Sequence, residues 1–149
     1  MSKNIVVVDI DGTIAKVGDR LKYLQQEKKD WDAFYEHCDE DEPIKDMCRL
    51  VEDVWEWGYH IVFCTRRRES VREKTKEWIK QHLAIGCNYD LLMRKDGDWR
   101  HDTEVKPELL QKASITPDDV YLILEDRDSM VSKWRELGYR CLQVNDGNF

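Results

Sequence analysis

The chain has 149 residues and a mass of 17.9 kDa, which is the size of one domain with its own hydrophobic core. Its formal net charge of −7 at pH 7 argues against a broad electrostatic grip on nucleic-acid phosphates, although a local basic patch can still bind one end. Five cysteines without a CxxC pair, and no apolar run long enough to span a bilayer, predict a soluble protein of the reducing cytoplasm with no membrane partner.

Strands and helices alternate along the chain. The apolar run at 5–10 predicts a strand buried on both faces, and apolar residues at helical spacing from Ile44 predict a helix that Gly58 ends. Further strands are predicted at 59–65, 89–93, 120–126 and 140–144, with helices after the first and third of these. The alternation predicts an α/β fold with a mainly parallel sheet, and we expect residues 1–149 to form a single domain.

Residues 14–43 do not fit this alternation. The segment carries the aromatic residues Tyr23, Trp31, Phe34 and Tyr35 among many charges, between the first strand and its crossover helix. We interpret it as a small cap rather than a second domain. Its aromatic side chains are more often a local core than a platform for base stacking, and both interpretations stay open.

Charged residues follow the three strongest strands. Asp9 and Asp11 end the first strand, Thr65 precedes three arginines after the second, and Glu125 and Asp126 end a later one. Ligands of open parallel sheets bind beyond the carboxyl ends of the strands, so these groups are expected to meet. Acidic pairs that meet would repel unless a cation intervened, and a hard, oxygen-ligated ion such as Mg²⁺ is the economical answer. Carboxylates, a metal and arginines together suggest phosphoryl transfer.

Each element also has a purely structural interpretation. Asp-x-Asp-Gly is most often a turn, and the acidic residues at 125–128 can begin a helix. The basic run at 66–76 can be a solvated helix face with paired charges. Their coincidence at successive strand ends favours an active site.

The segment DIDGT at 9–13 resembles the signature of the haloacid dehalogenase superfamily of phosphohydrolases, and Thr65, Lys106 and Asp126 follow in the order of its other motifs. The resemblance implies a three-layer, Rossmann-like core with a cap after the first strand. It implies that Asp9 forms an aspartyl-phosphate and that Asp11 acts as general acid and base. Thr65 and Lys106 would hold the phosphoryl oxygens. Mg²⁺ would be bound by the Asp9 carboxylate, the Asp11 backbone carbonyl and Asp126.

A closer resemblance, over nearly the whole chain, is to the phosphatase domain of phage-type polynucleotide kinase-phosphatases, which removes 3′-phosphates from nucleic-acid ends. It rests on the segments DGTIAKVGDR, CDEDEPI, RKDGDWRHDTEVK, EDRDSMVSKWRELG and CLQVNDGNF. It implies that Arg20, Arg67 and Arg94 grip the scissile phosphate or the nucleotide. Asp102 and Glu125 would support the site.

The chain departs from that family's pattern in several places. It has no GxxxxGK[ST] loop, so no kinase activity is expected. The second motif reads Thr65-Arg66-Arg67-Arg68, where an arginine replaces a glycine and one residue is added, so Arg68 could take the role assigned to Arg67. Glu125 stands where an aspartate is usual.

Three functions therefore compete. The first is a magnesium-dependent 3′-phosphatase acting on DNA or RNA ends or on 3′-nucleotides. The second is a phosphatase for a small metabolite or mononucleotide, which suits the acidic composition and the compact cap. The third is a non-catalytic module that binds phosphorylated ends beside a separate kinase or ligase, although binding alone requires neither Asp9 nor Asp11.

Overall fold

The computed structural model describes residues 3–149. Its strands are β1 (Ile5–Val8), β2 (Ala15–Lys16), β3 (Glu42–Pro43), β4 (His60–Arg68), β5 (Asp90–Arg94), β6 (Val120–Glu125) and β7 (Cys141–Gln143). Its helices are α1 (Trp31–Glu36), α2 (Lys45–Glu56), α3 (Arg72–His82), α4 (Asp102–Lys112) and α5 (Asp128–Glu136). The predicted alternation of strands and helices is confirmed.

Five strands form a parallel sheet in the order β5-β4-β1-β6-β7. The central strand β1 pairs on both sides, and three of its four residues are buried, as expected for a continuous apolar run in a parallel sheet. Because β4 and β6 flank β1 directly, their carboxyl ends lie beside the residues that follow Val8. The sheet therefore brings the three charged strand ends together.

Helices cover both faces of the sheet, which gives the three layers. On one face, Val8 and Phe63 belong to a hydrophobic core with Val51 of α2 and Trp78 of α3. On the other face, sheet residues join a second core with side chains of α4 and α5. Successive β1 residues alternate between the two cores because side chains of a strand point to opposite faces. The expected α/β fold is thus observed.

Two strand boundaries differ from the sequence-based prediction by two or more residues. The first strand was expected over 5–10 but ends at Val8, because the Ile10 carbonyl turns to accept the N–H groups of Thr13, Ile14 and Ala15 at 3.0–3.1 Å. The second was expected over 59–65 but continues to Arg68 through an irregularity in its pairing with β5. All three arginines therefore lie in the strand itself and not at the start of a helix.

Helix α4 was not predicted from apolar spacing. Its buried side chains include the charged residues Asp102 and Lys106, and Pro107 lies inside it, so the sequence shows no ordinary amphipathic pattern. None of the helices within residues 3–149 combines the length and the hydropathy that crossing a membrane requires.

Residues 14–43 lie between β1 and α2 and begin and end at a short antiparallel ribbon made by β2 and β3. Phe34 and Tyr35 of α1 are buried in the same core as β1 and α3, whereas Trp31 is only half-buried. The indole N–H of Trp78 donates to the Asp41 carbonyl at 2.7 Å, which ties the end of the segment to α3. The segment is thus packed against the core along much of its length.

Candidate active site

A tight turn after β1 carries Asp9 to the edge of the sheet. Gly12 has a φ of +86°, a conformation that side-chain-bearing residues rarely adopt. A Cβ atom on Gly12 would lie 2.0 Å from Asp126 Oδ2. Glycine at this position therefore allows the loop after β1 to approach the acidic residue after β6.

Asp9 is buried and its two oxygens have different partners. Oδ2 accepts a hydrogen bond from the Thr13 hydroxyl at 2.9 Å, and Oδ1 accepts one from Lys106 Nζ at 2.7 Å. Lys106 Nζ also donates to Glu125 Oε2 at 2.9 Å. Burial lowers the pKa of Lys106, but Asp9 and Glu125 raise it well above its ordinary value, so the ammonium stays charged.

Three buried carboxylates meet beside this lysine. One oxygen each from Asp9, Glu125 and Asp126 lies within 4.8 Å of the others. Burial and the charge of Asp9 raise the pKa of Asp126 to about 7 and that of Glu125 well above its ordinary value. Lys106 supplies one positive charge to three acidic groups, so the cluster favours a further cation.

This donor set fits Mg²⁺, which prefers carboxylate and carbonyl oxygens. Asp9 and Asp126 were both expected ligands, and Glu125, expected only to support the site, contributes its carboxylate to the same cluster. The Trp134 indole and Lys106 hold Glu125 Oε2 at 3.4 and 2.9 Å. The glycine turn described above leaves room for the Asp126 carboxylate beside the loop after β1.

Asp11 lies on the other side of the turn, between two arginines. Its Oδ1 accepts hydrogen bonds from Arg20 at 2.6 Å and from Arg67 at 2.7 and 3.1 Å, while its buried Oδ2 has no partner within residues 3–149. Burial raises the pKa of Asp11, but Arg67 and Arg20 outweigh it and hold the pKa well below its usual range. Asp11 is therefore an anion with one oxygen available.

Arg20 and Arg67 also contact Asp41, which comes from the end of the cap segment. Arg20 binds Asp41 through two nitrogens at 2.7 and 2.8 Å, and Arg67 reaches it at 3.4 Å and Thr75 at 3.2 Å. The resemblance implied that both arginines grip the phosphate. Here their guanidinium groups are buried against carboxylates, so they hold Asp11 in place.

The neighbouring arginines face elsewhere because side chains alternate along β4. Thr65 is fully buried and its hydroxyl accepts the Arg67 N–H at 3.1 Å. Arg66 and Arg68 instead line an adjoining cavity. The half-buried Arg66 side chain has no hydrogen bond or ion pair with any other residue in 3–149.

The two remaining expected site residues lie at the rim. Arg94 donates to the backbone carbonyls of Arg66, Asp98 and Arg100 at 2.6–3.2 Å, so it holds the 95–100 loop. Asp102 accepts a hydrogen bond from Arg127 at 3.0 Å. Both therefore position loops beside the carboxylates, and neither contacts Asp9.

Sequence reasoning assigned no role to several residues of the site. Thr13 and Asp41 appear in the quoted motifs, but only the structure shows that they contact Asp9 and the two arginines. Arg127 carried no signal beyond its position next to Asp126.

The arrangement can perform a displacement at phosphorus. It offers Asp9 as a candidate nucleophile, Asp11 as a candidate proton-transfer group, Lys106 as a fixed positive charge, and the acidic cluster as a candidate site for a divalent cation. The groups come from the loop after β1, from the end of β6 and from α4. The sheet is what assembles them.

Comparison with known proteins identifies the family. The family described as "Polynucleotide kinase PNKP phosphatase domain" matches residues 3–149. A chain of the Pnkp1/Rnl/Hen1 RNA repair complex shares 29% sequence identity at a TM-score of 0.82, over 97% of this chain and 43% of its own length. A chain of a second Pnkp1/Rnl/Hen1 complex shares 28% identity at a TM-score of 0.79, over 98% and 47%.

The chain thus spans less than half the length of these two repair proteins. A haloacid dehalogenase-like hydrolase from Streptococcus pneumoniae shares the fold at 15% identity and a TM-score of 0.63, over 96% of this chain and 85% of its own. Family match, fold and site agree with one another. The chain belongs to the haloacid dehalogenase phosphatases, in the family of polynucleotide kinase PNKP phosphatase domains.

Proposed function

We propose that the chain is a magnesium-dependent phosphomonoesterase that removes 3′-phosphates from DNA or RNA ends, or from 3′-nucleotides. The observation that carries the proposal is the position of Asp9 and Asp11, which share one turn between a fixed ammonium and a pair of arginines. The family match over residues 3–149 supports the same reaction.

Asp9 is the nucleophile. Its carboxylate oxygen attacks phosphorus, a bond from phosphorus to Asp9 forms, and the bond from phosphorus to the 3′-oxygen of the substrate breaks. Lys106, whose Nζ lies 2.7 Å from Asp9 Oδ1, stabilises negative charge near the transferring group. Water then attacks the aspartyl-phosphate, which releases inorganic phosphate and restores the carboxylate.

Asp11 moves the proton. It gives a proton to the leaving 3′-oxygen in the first step and takes one from the attacking water in the second. Its Oδ2 is the atom for this task, because Arg20 and Arg67 occupy Oδ1. A phosphate dianion beside Asp11 offsets the two arginines and raises its pKa toward the range in which it can hold a proton.

Asp9, Asp126 and Glu125, with the Asp11 backbone carbonyl, would hold Mg²⁺. When bound there, the ion would neutralise negative charge on the phosphoryl oxygens. The Thr65 hydroxyl hydrogen remains available for a phosphoryl oxygen, since the oxygen itself already accepts the Arg67 N–H.

A panel assay tests this function. Phosphate release would be measured with Mg²⁺ on 3′-phosphorylated DNA and RNA oligonucleotides, 5′-phosphorylated ends, nucleoside monophosphates and sugar phosphates. We expect the 3′-phosphorylated substrates to be preferred. Preference for a sugar phosphate or a 5′-nucleotide would favour the small-metabolite phosphatase, and binding of ends without release from any monoester would favour the non-catalytic module.

The biological setting is also a proposal. Two related chains occur in complexes with Rnl and Hen1, which supports a separate kinase or ligase as a partner. A cytoplasmic location is proposed from the cysteine pattern of the sequence alone. Copurification of a tagged chain from its native cytoplasm with a ligase or kinase would support both the proposed partner and the proposed location.

A further inference from the structure

A cavity of about 240 Å³ adjoins the candidate active site. Five of its eleven lining residues are arginines and two are aspartates, on a chain whose net charge is −7. Asp102 and Arg127 line it beside the acidic cluster, and Arg66 and Arg68 line it from the end of β4. A positive cavity at this position suits a nucleic-acid strand, because its backbone is anionic and its end carries the phosphate.

A stacked cluster forms one wall of the cavity. The Arg68 guanidinium lies 4.9 Å from the centre of the Tyr35 ring and 4.4 Å from that of Trp99, so it is held between two aromatic faces. Trp99 is nevertheless 68% exposed. One face of its indole covers the arginine, and much of the rest of the ring is open to a ligand.

One nitrogen of the Arg68 guanidinium lacks a partner within residues 3–149. The residue is only 9% exposed, and its Nη2 has no hydrogen-bond acceptor within residues 3–149, whereas Nη1 binds the exposed Asp32 at 2.6 Å. A buried donor without an acceptor is unfavourable unless a ligand supplies one. An oxygen of a bound phosphodiester in the cavity would satisfy it.

The cavity continues into a second cleft of about 560 Å³. Trp31 and Trp99 line both, and the second cleft is also lined by Lys28 and Lys29, with Asp30 and Asp32 beside them. From the acidic cluster outward, the surface therefore presents an arginine-lined cavity, then two tryptophans, and then a pair of lysines. Alternating cations and aromatic faces are how single-stranded nucleic acids are bound.

Arg66 connects this path to the reaction centre. Burial lowers its pKa, but the neighbouring Tyr35, Asp11 and Asp102 raise it on balance, so the unpaired guanidinium remains charged near both the cavity and Asp11. Within residues 3–149 it is thus an unpaired cation that lines the cavity on the side of β4.

We propose that this path binds single-stranded nucleic acid, with a base near the 3′-end stacked on Trp99 and the strand leaving past Trp31 toward Lys28 and Lys29. The inference rests on the proposed 3′-phosphatase function and narrows its substrate to unpaired ends. A base inside a duplex is stacked on both faces, so a paired end offers Trp99 at most the open face of its terminal base, whereas an unpaired end offers any base near the 3′-end.

Binding measurements on a variant that cannot turn over its substrate test the path. In an Asp9→Asn background, anisotropy would give the Kd of a dye-labelled, 3′-phosphorylated single strand, in separate DNA and RNA arms. We expect Trp99→Ala to raise Kd about tenfold, Trp99→Phe to restore most of the affinity, and Trp57→Ala to change nothing. Trp57 is a matched control because it is 71% exposed but lies after α2, at the amino edge of β4.

The salt dependence of Kd tests the contribution of Lys28 and Lys29. Replacing Lys28 and Lys29 with alanine should reduce the slope of log Kd against log salt by about 1.4, because each of the two phosphate contacts to a single strand contributes about 0.7. Lys80→Ala, on the far end of α3, is the control. An unchanged slope, or a Kd within twofold of the parent for Trp99→Ala, would overturn the path.

Kinetics separate this inference from the proposed function. With Asp9 restored, we expect Trp99→Ala to lower the ratio of kcat/KM on the single strand to kcat/KM on p-nitrophenyl phosphate about tenfold. Equal loss on both substrates, or equal activity on blunt duplex and single-stranded ends, rejects the path while leaving the phosphatase intact. A wild-type protein that hydrolyses p-nitrophenyl phosphate but no 3′-phosphorylated strand rejects both proposals.

Discussion

Lys106 Nζ lies 2.7 Å from Asp9 Oδ1, although the two residues are 97 positions apart in the chain. The same nitrogen contacts Glu125, so one buried ammonium joins the ends of β1 and β6 through α4. Removing either partner of a buried pair leaves an uncompensated charge. The contact therefore makes the reaction centre part of the stable core.

Asp9→Asn should abolish turnover, with a loss on the order of 10³-fold or more in kcat, because an amide cannot form the aspartyl-phosphate. The fold should persist, since Glu125 still pairs with Lys106 and the amide keeps the size of the carboxylate. Phosphate release and thermal unfolding measure the two effects. Asp53→Asn, at a partly exposed position on α2, is the matched control. Near-normal turnover in Asp9→Asn would rule out Asp9 as the nucleophile.

Gly12→Ala should be far more damaging than Gly18→Ala. The added methyl group would collide with the Asp126 carboxylate and the residue would be held at a φ of +86°, whereas nothing lies within 4 Å of a Cβ on Gly18. We expect Gly12→Ala to lose most of its activity and to bind Mg²⁺ more weakly. Isothermal titration with Mg²⁺ and a kcat measurement check this, and equal behaviour of the two variants would contradict it.

Arg67→Gln should destabilise the protein by about 3 kcal/mol, because it leaves Asp11 and Asp41 buried with less positive charge. Arg72→Gln, five residues later, breaks only an exposed pair with Glu69 and should cost about 0.5 kcal/mol or less. Urea unfolding of both variants gives the comparison. Similar losses would show that Arg67 is not the buried support that its contacts indicate.

Stability of the metal-free protein should fall as pH rises from 5 to 8. The pKa of Asp126 is raised to about 7 by burial and by Asp9, so the folded state binds a proton that the unfolded state releases near pH 4. The stability that Asp126 contributes through this bound proton is complete below the pKa of the unfolded state and is lost as the pH rises through about 7. Glu125 shifts in the same direction.

Mg²⁺ should offset this loss, because it binds the deprotonated carboxylates. We expect the melting temperature to rise more on adding Mg²⁺ at pH 8 than at pH 5, and EDTA to reverse the rise. Asp126→Asn should flatten the pH dependence. A melting temperature that increases with pH in the metal-free protein would contradict the raised pKa.

Much of the fold was predictable because it depends on local pattern. Short β-branched runs predicted β1, β4 and β6, and the parallel sheet then required Asp9, Thr65 and Asp126 to lie at one edge. Helix α4 was missed because its buried face includes Lys106 and Asp102, which no hydrophobic period reveals. The same burial is what makes those residues available to the site.

The sequence by itself determined the order of strands and helices and the residue types at each strand end, because both follow from local periodicity and turn chemistry. Only the tertiary structure decided what each arginine of the run contacts. Successive residues of a strand face opposite ways, and Asp11, Asp41 and Thr75 lie on the side of Arg67 while Tyr35 and Trp99 lie on the side of Arg68. Those partners come from distant segments, so their positions follow from packing and not from spacing.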